Sequence, residues 1–207
     1  MTLALDDLRE EPDTLYARDL LARWAPPDPA QSAERDRIVA WIDRYPLDAH
    51  RRERREGHLT ASALVVDLSR GAALLTHHRK LGRWLQLGGH CDGDANLARA
   101  ALREAIEESG IGGLTVDPNP LDVDVHAIPA RGIEPEHWHL DTRFLVLAPP
   151  GSLEVVSNES LALRWFRSEE LAPIPTDESV RRLFQITFGG GSNPGRLRAG
   201  SGPRPPL

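Results

Sequence analysis

The chain has one cysteine, one lysine, few aromatic residues and no long apolar run. With Cys91 alone, no internal disulfide can form, which fits a reducing cytoplasm. Lys80 is the single lysine, and arginine carries nearly all the positive charge, a trait of genome composition rather than of function. The net charge is −6, so the basic face that grips a nucleic-acid backbone is missing and no duplex partner is expected. No stretch reaches the roughly 20 apolar residues of a membrane span, so no membrane partner is expected either. Asp6, Asp7, Glu10 and Glu11 near the start are unlike a secretory signal. What remains is a globular, acidic chain of 207 residues, 40% hydrophobic and 27% charged, expected in the cytoplasm. That length suits one domain of ordinary size with extensions. If such an acidic protein acts on anionic phosphates, it needs a local device, and a metal ion is the obvious one.

The most informative stretch runs from Leu87 to Ile111. A Gly88-Gly89 pair follows an apolar run, a short acidic loop follows the glycines, and a helix follows the loop, with Asp94 or Asn96 placed to cap it. At about 100° per residue, Glu104, Glu107 and Glu108 share one arc, and Ala98, Leu102, Ala105 and Ile106 lie on the far side. Like charges at Glu104 and Glu108 cost a helix roughly a few tenths of a kcal/mol. The arrangement makes chemical sense if a hard divalent cation sits among the carboxylates. The alternative is a solvated charged face.

The order of residues resembles the box of the Nudix family. Gly89 opens it, and Arg103, Glu104, Ala105, Ile106, Glu107, Glu108, Ser109, Gly110 and Ile111 close it in register. One position departs: Ala95 stands where the first box Glu falls. In the family that Glu braces the box Arg and the loop, so Arg103 needs another partner, with Asp92 or Asp94 as candidates. The resemblance implies an α/β/α sandwich with a mixed sheet, Mg²⁺ or Mn²⁺ as cofactor, and Glu104, Glu107, Glu108 and the Gly88 carbonyl as metal ligands. It also implies hydrolysis of a phosphoanhydride bond in a nucleoside diphosphate linked to another moiety, a small-molecule substrate. Glu107, Glu104 and Glu159 are candidates to accept the water proton, and Arg103 orients the carboxylates. Two other classes stay open: a non-catalytic nucleotide-sensing module, and an isopentenyl diphosphate isomerase-like enzyme, which would need a catalytic cysteine.

Around the box, residues 1–56 read as a helical extension that caps the domain or contributes to a homodimer. One short helix ends before Pro26 and Pro27, and a second runs from about Ser32 to Tyr45. The run from Arg51 to Arg55 either meets phosphate or is a solvated connector. The domain proper is expected over 57–188. Strands are expected at Leu59 to Leu68, Ala72 to His77, Trp84 to Leu87, Leu121 to Ile128, Ser152 to Val156 and Leu161 to Phe166, with a loop from Ile111 to Pro120 and a last helix over Asp177 to Phe188. Period two along the segment after Pro135 puts His137, His139, Asp141 and Arg143 on one face. A His-x-His pair on a strand can bind Zn²⁺, contact a phosphate or simply lie at the surface. We take His137, His139, Asp141 and Arg143, with Arg79 and Arg83 ahead of the box, as the substrate-binding set. From Gly189 the chain is too rich in Gly and Pro to build a core, and 189–207 is expected to be a disordered tail.

Overall fold

Eleven residues from Gly57 to Asp67 form strand β1, and every one of them is buried. Burial on both faces follows from the layers around this strand. In the computed structural model, which describes residues 1–156 and 160–189, the elements run α1 (Thr14–Arg23), α2 (Pro29–Arg44), β1, β2 (Ala72–His78), β3 (Trp84–Leu85), β4 (Leu87–His90), α3 (Leu97–Ser109), β5 (Thr115–Ile128), β6 (His137–Leu147), β7 (Ser160–Phe166) and α4 (Glu178–Phe188). The sheet order is β3-β2-β1-β6-β5, with β4 also pairing β1 and β7 also pairing β2. Among the described residues only β1 and β6 run parallel; the other pairs are antiparallel. This is the expected α/β/α sandwich with a mixed sheet.

Period two divides β1 between two cores. Leu59, Ala61, Ala63 and Val65 join Ala98, Leu102 and Ala105 of α3. Leu64 and Val66 join Phe166, Val180, Leu183 and Phe184 beneath α4. His58, Thr60 and Ser62 share the parity of Leu64 and Val66, but they line a cleft instead. One face of one strand is therefore apolar where α4 covers it and polar where it meets the site.

The N-terminal helices begin at side-chain caps. Asp13 accepts from the Leu15 amide at 2.9 Å and Asp28 from the Gln31 amide at 2.9 Å. Because Asp28 caps and Pro29 suits the first helical turn, α2 starts earlier than expected from Ser32. It packs along β5, the last strand of the path. The Gln31 side chain donates to the Val123 carbonyl at 3.0 Å and accepts from the Val123 amide at 2.9 Å, and Glu34 accepts from the Val125 amide at 3.1 Å. Side chains thus satisfy an edge that would otherwise offer itself to another chain.

Three expectations are corrected. The loop foreseen over 111–120 is in part strand, since β5 begins at Thr115; Pro118 and Pro120 lie where the register with β6 shifts, positions that tolerate a missing amide hydrogen. Ser152 to Val156 is not a strand: its Val155 amide donates to the Ser109 carbonyl at 2.7 Å, tying it to the end of α3. The expected Trp84–Leu87 strand is broken at Gln86 into β3 and β4, which pair with different neighbours. Glu159 and the expected tail beyond Gly189 lie outside the described residues. No helix among the described residues is long and apolar enough to cross a membrane.

Candidate active site

Helix α3 is held at both ends by its own sequence. Asn96 accepts from the Arg99 amide at 3.3 Å, and Gly110 closes the helix in the left-handed region at φ 66°. With Ala98, Leu102 and Ala105 buried, Glu104, Glu107 and Glu108 line the cleft. Strand β4 brings Gly88 and Gly89 against them. The Glu104 side chain, 16% exposed, lies over Gly89 so closely that a Cβ there would fall on its carboxylate. Glu108 accepts from the Gly88 amide at 3.3 Å, and Glu107 is exposed.

Arg103 holds this arrangement. Its guanidinium pairs with Glu104 at 2.9 Å and donates to the His90 carbonyl at 2.7 Å, joining helix to β4. Of the two expected substitutes for the box Glu, Asp92 lies 3.8 Å from Arg103. Asp94 is engaged elsewhere: it pairs with Arg99 at 2.7 Å and accepts from the amides of Glu11 and Asn96. The N-terminal segment completes this bracing. The buried Ala95 donates its amide to the Glu11 carbonyl at 2.6 Å, and the Asn96 side chain donates to the Arg9 carbonyl at 2.9 Å.

The cleft has a volume of about 1020 Å³. Of the residues proposed to bind substrate, His137, His139 and Asp141 line it, and Arg143, Arg79 and Arg83 do not. Arg143 is 2% exposed and locked to Asp122, Asp124 and Asp141 at 2.9–3.1 Å, so every charged face of its guanidinium is spent inside the sheet. Its role as a substrate contact is therefore corrected to that of a buried tie between β5 and β6. Arg79 and Arg83 sit in the exposed turn after β2, where Lys80 rather than either of them reaches the lining. Arg52 and Arg55 of the basic run also line the cleft, together with Arg131. Cys91 is 1% exposed and burial pushes its thiol well up, so it is no nucleophile.

Sequence reasoning missed the contributions of His58, His90 and His126. The sheet register sets His58 beside His139, His139 beside His126, and His90 beside Thr60. Burial drives His58 down to about 4 and His139 down to about 2, the latter helped by His58 and His90, and burial lowers His90 as well. His126 goes the other way: burial opposes the charge, but its hydrogen bond to Asp124 at 2.8 Å and the nearby Asp141 raise it. Only the pairing of four strands unites these imidazoles, and no local pattern signals it.

A sheet flanked by helices, with a carboxylate-bearing helix facing a polar cleft, is the architecture of a known class of hydrolase domains. The NUDIX domain profile matches residues 57–185, and the chain belongs to that family, among the Nudix hydrolases. An Ap4A hydrolase of C. elegans in a binary complex is similar, with a TM-score of 0.51 and 20% identity over 62% of this chain and 93% of that one. A MutT Nudix hydrolase of Burkholderia pseudomallei has a TM-score of 0.50 and 26% identity over 63% of this chain and 97% of that one. The E. coli dihydroneopterin triphosphate pyrophosphohydrolase has a TM-score of 0.50 and 19% identity over 61% and 92%. No curated protein sequence matches the chain.

Proposed function

We propose that the protein hydrolyses a phosphoanhydride bond in a nucleoside diphosphate linked to another moiety, with Mg²⁺ or Mn²⁺ held by Glu104, Glu107, Glu108 and the Gly88 carbonyl. The observation that carries this reading is the packing of Glu104 on Gly89, a position where any side chain would occupy the space of the carboxylate. The donor set fits the ion, since hard divalent cations take oxygen ligands and share them with substrate phosphates. When bound, the ion supplies Lewis acidity and a more acidic water. Arg103 aims Glu104, and Glu107, exposed at the cleft, holds the proton of the attacking water in this reading. Glu159 is the other candidate for that proton. Arg52, Arg55, Lys80 and Arg131 offer cations for phosphate oxygens, and His137 offers a donor from β6.

The test is a panel of nucleotide sugars, dinucleoside polyphosphates, coenzyme A derivatives and oxidised nucleotides, assayed for released phosphate-bearing products with Mg²⁺ and Mn²⁺. Metal-dependent turnover of at least one class is expected, with a loss of about 100-fold or more in kcat for Glu107→Gln. Full activity in that variant removes the mechanism. Tight nucleotide binding without turnover makes the domain a sensing module instead. A rearranged diphosphate would point to an isomerase, against which the buried Cys91 stands.

A further inference from the structure

The cleft holds a second, chemically different group of metal-ligating side chains. One ligating nitrogen from each of His58, His90 and His139 lies within 4.8 Å of the other two. The rings approach tilted or edge-on, with centroids 5.0 Å apart for His58 and His90, 5.1 Å for His58 and His139, and 5.5 Å for His90 and His139. They come from three strands, β1, β4 and β6, so the sheet fixes their positions.

Two independent features point to a ligand. His58 is 3% exposed, and its Nε2 is buried with no hydrogen-bond partner; the Nε2 of His139 is in the same condition. A buried polar atom left unpaired costs about 1–3 kcal/mol, so an interior that keeps two of them side by side calls for an occupant. The Nδ1 of His58 lies 3.3 Å from the Arg54 carbonyl, to which it donates. That bond fixes the tautomer and leaves Nε2 with a lone pair for a metal, the usual backing of a ligating imidazole.

We propose that His58, His90 and His139 form a binding site for a borderline divalent transition ion of the Zn²⁺ class, with its fourth position open to the cleft for water or a phosphate oxygen. Tetrahedral bonds of about 2.0–2.1 Å place ligand nitrogens roughly 3.3 Å apart, so the rings close on the ion by modest side-chain rotations. Imidazole nitrogen selects Zn²⁺ over Mg²⁺, and carboxylate oxygen favours Mg²⁺ or Mn²⁺. One cleft thus carries two sites that sort different ions. The histidine site does not depend on the hydrolytic reading.

The full chain, stripped with a chelator, is titrated calorimetrically with Zn²⁺ alone, and with Co²⁺ followed by visible absorption. One Zn²⁺ per chain is expected, together with the intense absorption of tetrahedral Co²⁺. His58→Gln, His90→Gln and His139→Gln should each weaken Zn²⁺ by about 100-fold or more, while the triple variant Glu104→Gln, Glu107→Gln, Glu108→Gln keeps it. Circular dichroism and melting identify any variant that fails to fold, and His90→Gln, at a half-buried position, is the variant best able to keep the fold. Absence of Zn²⁺ uptake, unchanged affinity in the folded histidine variants, or loss only in the glutamate variant each overturns the site.

Discussion

Gly88 and Gly89 are adjacent in β4, yet alanine should act on them in opposite ways. At Gly88 the backbone has φ 148°, a region unfavourable for a side chain, and an added Cβ would lie 2.5 Å from the Ser62 Cα and 2.7 Å from the Ala61 carbonyl oxygen. Those atoms belong to the paired strand β1, which cannot move aside without opening the sheet. Strain of about 1–3 kcal/mol from the backbone and a similar sum from overpacking should make Gly88→Ala lose roughly 2–6 kcal/mol of stability. At Gly89 the obstacle is the end of the Glu104 side chain, whose Cδ would lie 2.8 Å away. A carboxylate can swing clear. Gly89→Ala should therefore change stability by less than about 1 kcal/mol, because reduced freedom of the unfolded chain offsets the local adjustment. Its activity should nonetheless fall on the order of 100-fold, the scale of an ångström-sized displacement of a catalytic group. Urea unfolding and metal-dependent turnover measured on both variants separate the two effects. Equal destabilisation of the pair, or a Gly89→Ala variant with full activity, would refute the claim that Gly89 exists to seat Glu104.

Further perturbations test the supporting framework. Removing Arg143 as Arg143→Leu leaves the buried Asp141 without its cation and Asp122 and Asp124 with Arg182 alone, and should cost about 3–5 kcal/mol in urea unfolding at pH 7. A near-neutral effect at pH 7 would remove the buried tie. At Asp124 burial opposes ionisation, but the His126 hydrogen bond and Arg143 outweigh it and hold the carboxyl at about 2 instead of the usual 3.8. A depressed value stabilises the fold above pH 4, and the contribution disappears as pH falls through 2. Asp124→Asn should thus be less stable by roughly 2 kcal/mol at pH 6, with a gap that closes toward pH 2 in denaturation profiles. Asp94→Ala strips partners from Arg99 and from the Glu11 and Asn96 amides. It should cost about 2–4 kcal/mol and speed proteolysis within residues 1–12, and unchanged cleavage would mean the N-terminal segment is not anchored there.

Much of the machinery was readable from local order. The spacing of Glu104, Glu107 and Glu108 against Ala98, Leu102 and Ala105 is a property of one helix, and α3 realises it. Asn96, Asp28 and Asp13 cap helices because a short side-chain acceptor reaches an amide two or three residues on, whatever surrounds it. The strands β1, β2 and β7 follow from apolar and β-branched runs. Readings failed where a residue answers to something distant. Thr115 to Pro120 looks like loop by its prolines, yet the β6 edge recruits it as strand. Arg143 shares the alternation of His139 and Asp141, but β5 supplies Asp122 and Asp124 and takes it out of the cleft.

The sequence by itself determined the family motif, the carboxylate face and the sandwich class, since each rests on periodicity or on contacts within a few residues. Tertiary structure alone decided which cations face the cleft, how Glu11 and Arg9 brace the loop beside Ala95, and that His58, His90 and His139 meet. The first two depend on where loops and the N-terminal segment settle against distant elements; the third depends on strand register, and a shift of one residue would turn those histidines to the opposite face.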